Sequence, residues 1–143
     1  MQSFVFGGEE YERLEIVVQG YERAATGEFY DDNWLSVVVS VHCGGFRGRF
    51  TAAFLTSELE SFHGKLASLY ETLTGEAQFQ TLEEQLSLTL KCDGRGQLQL
   101  QGEALDQLGV GNRLSFKILI DQTQLESSVR SLASTLRAYP VRT

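Results

Sequence analysis

In this chain of 143 residues, chemistry would show first at its histidine, cysteine and clustered acidic side chains. His42 and His63 are the two histidines, and neither sits in the His-x-x-x-His or Cys-x-x-Cys spacing that zinc sites use. Cys43 abuts a glycine turn and Cys92 falls at a strand end. Neither has a basic neighbour at a helix start to lower its pKa, so both read as bystander thiols. Whether the two approach each other stays open. There is no Gly-x-Ser-x-Gly nucleophile elbow. Gly109-Val110-Gly111-Asn112 suggests a phosphate loop, but it precedes a strand and lacks a lysine, so it reads as a turn between two strands. The sequence therefore predicts no catalytic residue, no metal ligand and no cofactor.

Three polar features remain. Asp31-Asp32-Asn33 directly precedes Trp34, Glu83-Glu84 lies between two strand patterns, and Glu9, Glu10 and Glu12 crowd the start. Carboxylates at loop tips can act as general acids, hold a cation or dock a basic partner. Solvated surface charge, or a turn in the case of Asp31 and Asp32, is the plainer account. Gln78, Gln80, Gln97, Gln99 and Gln101 supply uncharged hydrogen-bonding groups on alternating strand positions. The candidate partner-binding residues are accordingly Asp31, Asp32, Glu83, Glu84, Gln97, Gln99 and Gln101.

The elements that must carry these residues show as strict alternation. Leu35, Val37, Val39 and Val41 share one face of a strand; Phe50, Ala52 and Phe54 share another. Leu86, Leu88 and Leu90, then Leu98 and Leu100, then Leu114, Phe116, Ile118 and Ile120 repeat the pattern. Leu14–Gly20 and Glu76–Thr81 follow it more weakly. Period-two alternation gives one buried and one wet face, the signature of antiparallel strands. Cys43-Gly44-Gly45 and Asp93-Gly94-Arg95-Gly96 supply hairpin turns between them.

Two segments change to the helical period. Leu59, Phe62, Leu66, Leu69, Tyr70 and Leu73 form one stripe, with Ser57-x-x-Glu60 as its opening capping box. Leu125, Val129, Leu132, Ala133 and Leu136 form another, opened by Thr123-x-x-Glu126 and stopped by Pro140. A shift of 66 residues carries Leu59-Glu60-Ser61 onto Leu125-Glu126-Ser127, Leu66-Ala67-Ser68 onto Leu132-Ala133-Ser134, and Phe50 onto Phe116. The expected fold is α+β: a curved antiparallel sheet of about seven strands, built as two meander-plus-helix units, with two helices packed on one face. A partly closed barrel with the helices outside is the alternative. A single domain over residues 1–143 is expected, because no Pro- or Ser-rich linker divides the chain.

Composition removes whole classes. With 12 Lys and Arg against 19 Asp and Glu, the net charge of −7 argues against autonomous nucleic-acid binding. No apolar run reaches the roughly 20 residues of a membrane span. The start lacks the basic segment of a secretory signal, so a cytoplasmic location is expected.

In order along the chain, Asn33-Trp34-Leu35, Thr56-Ser57-Glu58-Leu59, Leu82-Glu83-Glu84, Asp93-Gly94-Arg95-Gly96, Gly111-Asn112-Arg113-Leu114 and Ile120-Asp121-Gln122-Thr123 resemble the WapI family of bacterial immunity proteins. Gly20-Tyr21-Glu22 fits as well, although Arg23 stands in the region where the family usually carries a proline. The resemblance implies a non-enzymatic protein that binds and occludes the nuclease-type, tRNA-cleaving domain of a WapA-type contact-dependent toxin. It transfers no functional residue. An acidic protein suits a basic nuclease domain as partner, without itself touching nucleic acid or membrane. A homo-oligomeric scaffold or adaptor, such as a homodimer using the Gln-rich face, is the alternative. A hydrolase using Asp31, Asp32 or Glu83 with a divalent ion ranks third.

Overall fold

The computed structural model describes all residues from Met1 to Thr143. The strands are β1 (Gln2–Gly7), β2 (Arg13–Tyr21), β3 (Trp34–Cys43), β4 (Phe46–Leu55), β5 (Glu76–Gln80), β6 (Leu86–Cys92), β7 (Leu98–Leu105) and β8 (Arg113–Ile120). The helices are α1 (Phe29–Asp32), α2 (Thr56–Thr72) and α3 (Gln122–Ala138). The architecture is α+β, and every strand pairing is antiparallel.

The strand count and the sheet count differ from expectation. There are eight strands, in two four-stranded meanders ordered β1-β2-β3-β4 and β5-β6-β7-β8, where the sequence suggested about seven in one curved sheet. Each meander ends in a long helix, as the two-unit reading required. The shift of 66 residues carries Thr56–Thr72 of α2 onto Gln122–Ala138 of α3. Alternation reveals which side chains share a face. It does not reveal which strands share hydrogen bonds, so one sheet and two sheets look alike in the sequence.

The helices do not lie over their own sheets. α3, which follows the second sheet, packs chiefly on β1 of the first; α2, which follows the first sheet, packs on β5 of the second. The two helices also pack on each other. A chain of aromatic rings runs through this crossing. Phe62 of α2 lies 6.0 Å from Phe6 of β1 and 4.8 Å from Phe79 of β5, and Phe79 lies 5.2 Å from Phe54 of β4. One apolar cluster of 27 buried residues therefore spans both sheets and both helices. Ser128, on the buried stripe of α3, donates its hydroxyl to the Val5 carbonyl on β1.

Both helices begin two residues before the sequence-predicted boxes. Asp121 caps α3: its Oδ1 accepts from the Gln124 N–H at 2.8 Å, and Gln124 Oε1 accepts from the Asp121 N–H at 3.0 Å. At α2 the Leu55 N–H donates to Glu58 Oε1 at 2.7 Å. Ser57/Glu60 and Thr123/Glu126 have the right spacing, but the chain has already turned helical where each strand ends.

Candidate functional site

The acidic candidates fall on two loops that are both tied to the β4–α2 junction. In the first, Asp31 and Asp32 end the short helix α1 and have opposite fates. Asp31 is exposed, 3.7 Å from Arg23. Asp32 is 5% exposed and turned inward: Oδ1 accepts from the Thr26 N–H at 2.7 Å and the Thr26 hydroxyl at 2.8 Å, and Oδ2 accepts from the Gly27 N–H at 2.8 Å. The Thr26 N–H, above all, holds the Asp32 carboxyl below the usual carboxylate range, with further help from Gly27 and Arg142.

Asn33 then joins this loop to distant parts of the chain. Its amide donates to the Phe29 carbonyl at 2.7 Å and the Arg142 carbonyl at 3.0 Å. Its Oδ1 accepts from the Thr56 hydroxyl at 2.6 Å and the Arg142 N–H at 2.8 Å. A fully buried Asn with both ends occupied pins the last residues of the chain to the start of α2. Arg142 completes the clasp, its guanidinium 3.5 Å from the centre of the Tyr21 ring.

The second loop is the β5–β6 turn, which carries Glu83 and Glu84. Its Leu82 N–H donates to Glu58 Oε2 at 2.5 Å, so one carboxylate bridges this turn and the start of α2. Burial pushes the Glu58 pKa up, the hydrogen bonds from Leu55 and Leu82 oppose this, and the charge of Glu83 adds to the rise. The β7–β8 loop lies at the same end of the second sheet, where the Leu105 N–H donates to the Gln85 carbonyl at 2.8 Å. Asp106 shapes that loop by accepting from the Asn112 N–H at 2.7 Å, which confirms Gly109–Asn112 as a strand connection.

Together these two loops make a mixed rim that carries Glu83, Glu84 and Asp106 as well as Leu82 (68% exposed), Leu108 (48%) and Val110 (81%). The Thr81 hydroxyl, buried in the same turn, is the one buried side-chain polar atom without a hydrogen-bond partner. The apolar half of the rim is not legible in the sequence, because a single exposed Leu or Val in a loop has no period to betray it.

Gln99 and Gln101 project from the outer face of the second sheet. The cross-strand rows there are Glu76–Lys91–Gln99–Leu119, Gln78–Thr89–Gln101–Lys117 and Gln80–Ser87–Glu103–Ser115. Gln97 stands apart from these rows, before β7 begins, where its N–H helps Asp93 close the turn at 3.3 Å. The site candidates thus form one sheet end (half-buried Glu83 and exposed Glu84), a polar face (Gln99, Gln101) and a separate loop (Asp31), with Asp32 committed to the interior.

No group of three or more His, Cys, Asp or Glu side chains is arranged to hold a metal ion. Cys43 and Cys92 are both free and half-buried, and burial, with the charge of Glu12, pushes the Cys43 thiol up to about 11. A thiol so far above neutrality is a poor nucleophile. No helix is long and apolar enough to cross a membrane. No curated protein matches the chain. The family model described as the immunity protein WapI-like family matches it over residues 5–140.

Proposed function

We propose a function from one premise: this chain belongs to the WapI-like immunity protein family. Its role is therefore immunity, and the family implies a toxin as partner. We propose further that the toxin is a basic, nuclease-type, tRNA-cleaving domain, and that this protein neutralises it in the cytoplasm by covering its substrate cleft, without catalysis of its own. The observation that carries this reading is the rim at one end of the second sheet. Glu83 and Glu84 offer carboxylates outside any ion pair to a basic surface, and Leu82, Leu108 and Val110 on the same two loops offer apolar anchors. Carboxylates steer encounter with a basic partner, while desolvated apolar anchors supply lasting affinity. Gln99 and Gln101 on the adjoining sheet face, and Asp31 on its loop, extend the contact toward the roughly 1,200–2,000 Å² that a stable complex buries.

The test is co-expression with the toxin domain encoded beside this gene. The wild-type chain is expected to co-purify with the toxin and restore growth. Replacing Glu83→Lys together with Glu84→Lys should weaken the complex by about tenfold or more and steepen the loss of protection. Failure of the wild-type chain to bind or protect overturns the reading. Full protection by the double variant overturns the rim as the contact surface.

A further inference from the structure

The outer face of the first sheet has no part in the reading above, and its chemistry is of the opposite sign. Two neighbouring cross-strand rows occupy it, Arg13–His42–Arg47 and Glu15–Ser40–Arg49. These side chains line an open cleft of about 700 Å³, within the range of about 300–1,000 Å³ typical of small-ligand sites. Arg13 is engaged, donating to the Gly8 carbonyl at 3.0 Å and to Glu15 at 3.1 Å. Arg47 donates through Nε to His42 Nε2 at 3.3 Å, which leaves the two terminal amino groups of its fork uncommitted. Arg49 makes no ion pair at all. Tyr11 covers one wall, 65% exposed, its ring 5.3 Å from that of His42.

We propose that this cleft binds a mononucleotide-class ligand, with its phosphate on Arg47 and Arg49 and its base against Tyr11. Guanidinium forks match phosphate oxygens two at a time, and His42 holds one of the forks in place. An exposed tyrosine ring is a stacking platform for any base. The scale of the ligand follows from charge. On a chain of net −7 the local excess is small, since Glu10 and Glu15 line the same cleft as the three arginines. That excess suits a single phosphate, whereas each further phosphate of a strand finds no further cation in the cleft and meets the net negative charge of the chain. The proposal does not depend on the immunity reading and stands or falls separately.

Calorimetry of the full chain at low salt tests it, using AMP, adenosine, inorganic phosphate and an oligoadenylate as probes. AMP should bind, phosphate more weakly and adenosine weakest. Arg47→Gln with Arg49→Gln should weaken AMP by about tenfold or more. Tyr11→Ala should weaken AMP and leave phosphate unchanged. Arg49→Gln alone, at a side chain with no ion pair to lose, keeps the test available should the double variant fail to fold. No AMP binding at about 1 mM, equal binding of adenosine and AMP, or an unchanged affinity in Arg49→Gln would each overturn the proposal. So would a preference for the oligonucleotide, which would assign the face to strand binding.

Discussion

The two sheets bury similar rows and display dissimilar ones. Inside, Leu35, Val37, Val39 and Val41 of the first sheet meet the same core as Leu86, Leu88, Leu90, Leu98 and Leu100 of the second. Outside, the first sheet shows Arg13, Glu15, His42, Arg47 and Arg49, while the second shows Gln78, Thr89, Gln99, Gln101 and Lys117. The inner faces are held alike because both must fit one aromatic crossing, centred on Phe62. The outer faces carry no such demand and are free to specialise. A cationic cleft on one sheet and a neutral hydrogen-bonding face on the other let one small molecule address two chemically different surfaces.

The likeness of the inner faces can be broken most severely at Phe62. Phe62→Ala removes the ring shared by β1, α2 and β5, and should cost about 3–5 kcal/mol. Both sheets should then lose hydrogen-exchange protection in a single transition. Separate unfolding of the two meanders would show that the helices do not lock them together.

A smaller effect is expected at Asn33, where Ala leaves the Thr56 hydroxyl and the Arg142 backbone without their partner. The loss should be about 1–3 kcal/mol, with new proteolytic access at the C-terminal segment. An unchanged melting temperature would remove the clasp from the account.

Glycines separate the two sheets more finely. A methyl group at Gly102 on β7 would lie 2.2 Å from the Phe116 ring, whereas at Gly48 on β4 it would meet nothing within 4 Å. Gly102→Ala should destabilise by about 1–3 kcal/mol, and Gly48→Ala should be neutral or stabilise by about 0.4–1 kcal/mol. Shifts of the same sign in both would overturn this contrast between the two sheets.

The smallest effect contrasts two adjacent aspartates. Because the folded-state pKa of Asp32 is lowered, the folded state favours the ionised carboxylate and is stabilised by it. That contribution is present above the ordinary carboxylate range and disappears as pH falls through the lowered pKa. Asp32→Asn should therefore be less stable than wild type at neutral pH and converge with it in acid, while Asp31→Asn, which removes only an exposed ion pair with Arg23, should change neutral-pH stability by no more than about 0.5 kcal/mol. Parallel pH profiles for wild type and Asp32→Asn would refute the assignment.

These contrasts also show what the residue pattern can carry. Seven strands, both long helices and the repeat of 66 residues follow from periodicity, because burial of one face acts directly on spacing. β1 escaped, since Ser3-Phe4-Val5-Phe6 offers too short a stretch and puts Val5 among the phenylalanines. Asp31 and Asp32 are identical in type and adjacent in sequence, and only Thr26 and Gly27, brought close by the loop, decide which of them faces inward. The alternation of Phe50, Ala52 and Phe54 shows which face of β4 is buried, but it names neither Arg47 nor Arg49 as a ligand group. Their convergence with Arg13 and His42 needed the register of three strands.

The crossing of the helices has a consequence for severed chains. A cut between Thr74 and Gly75 would give one fragment holding the first sheet with α2 and another holding the second sheet with α3. Each fragment would carry the helix that chiefly covers the other fragment's sheet, so each alone would expose apolar sheet surface. Mixed, the fragments can hide those surfaces by reassembling in the native crossing. The fold is thus built like two keys cut for each other's locks, and bringing its two halves together would restore the whole.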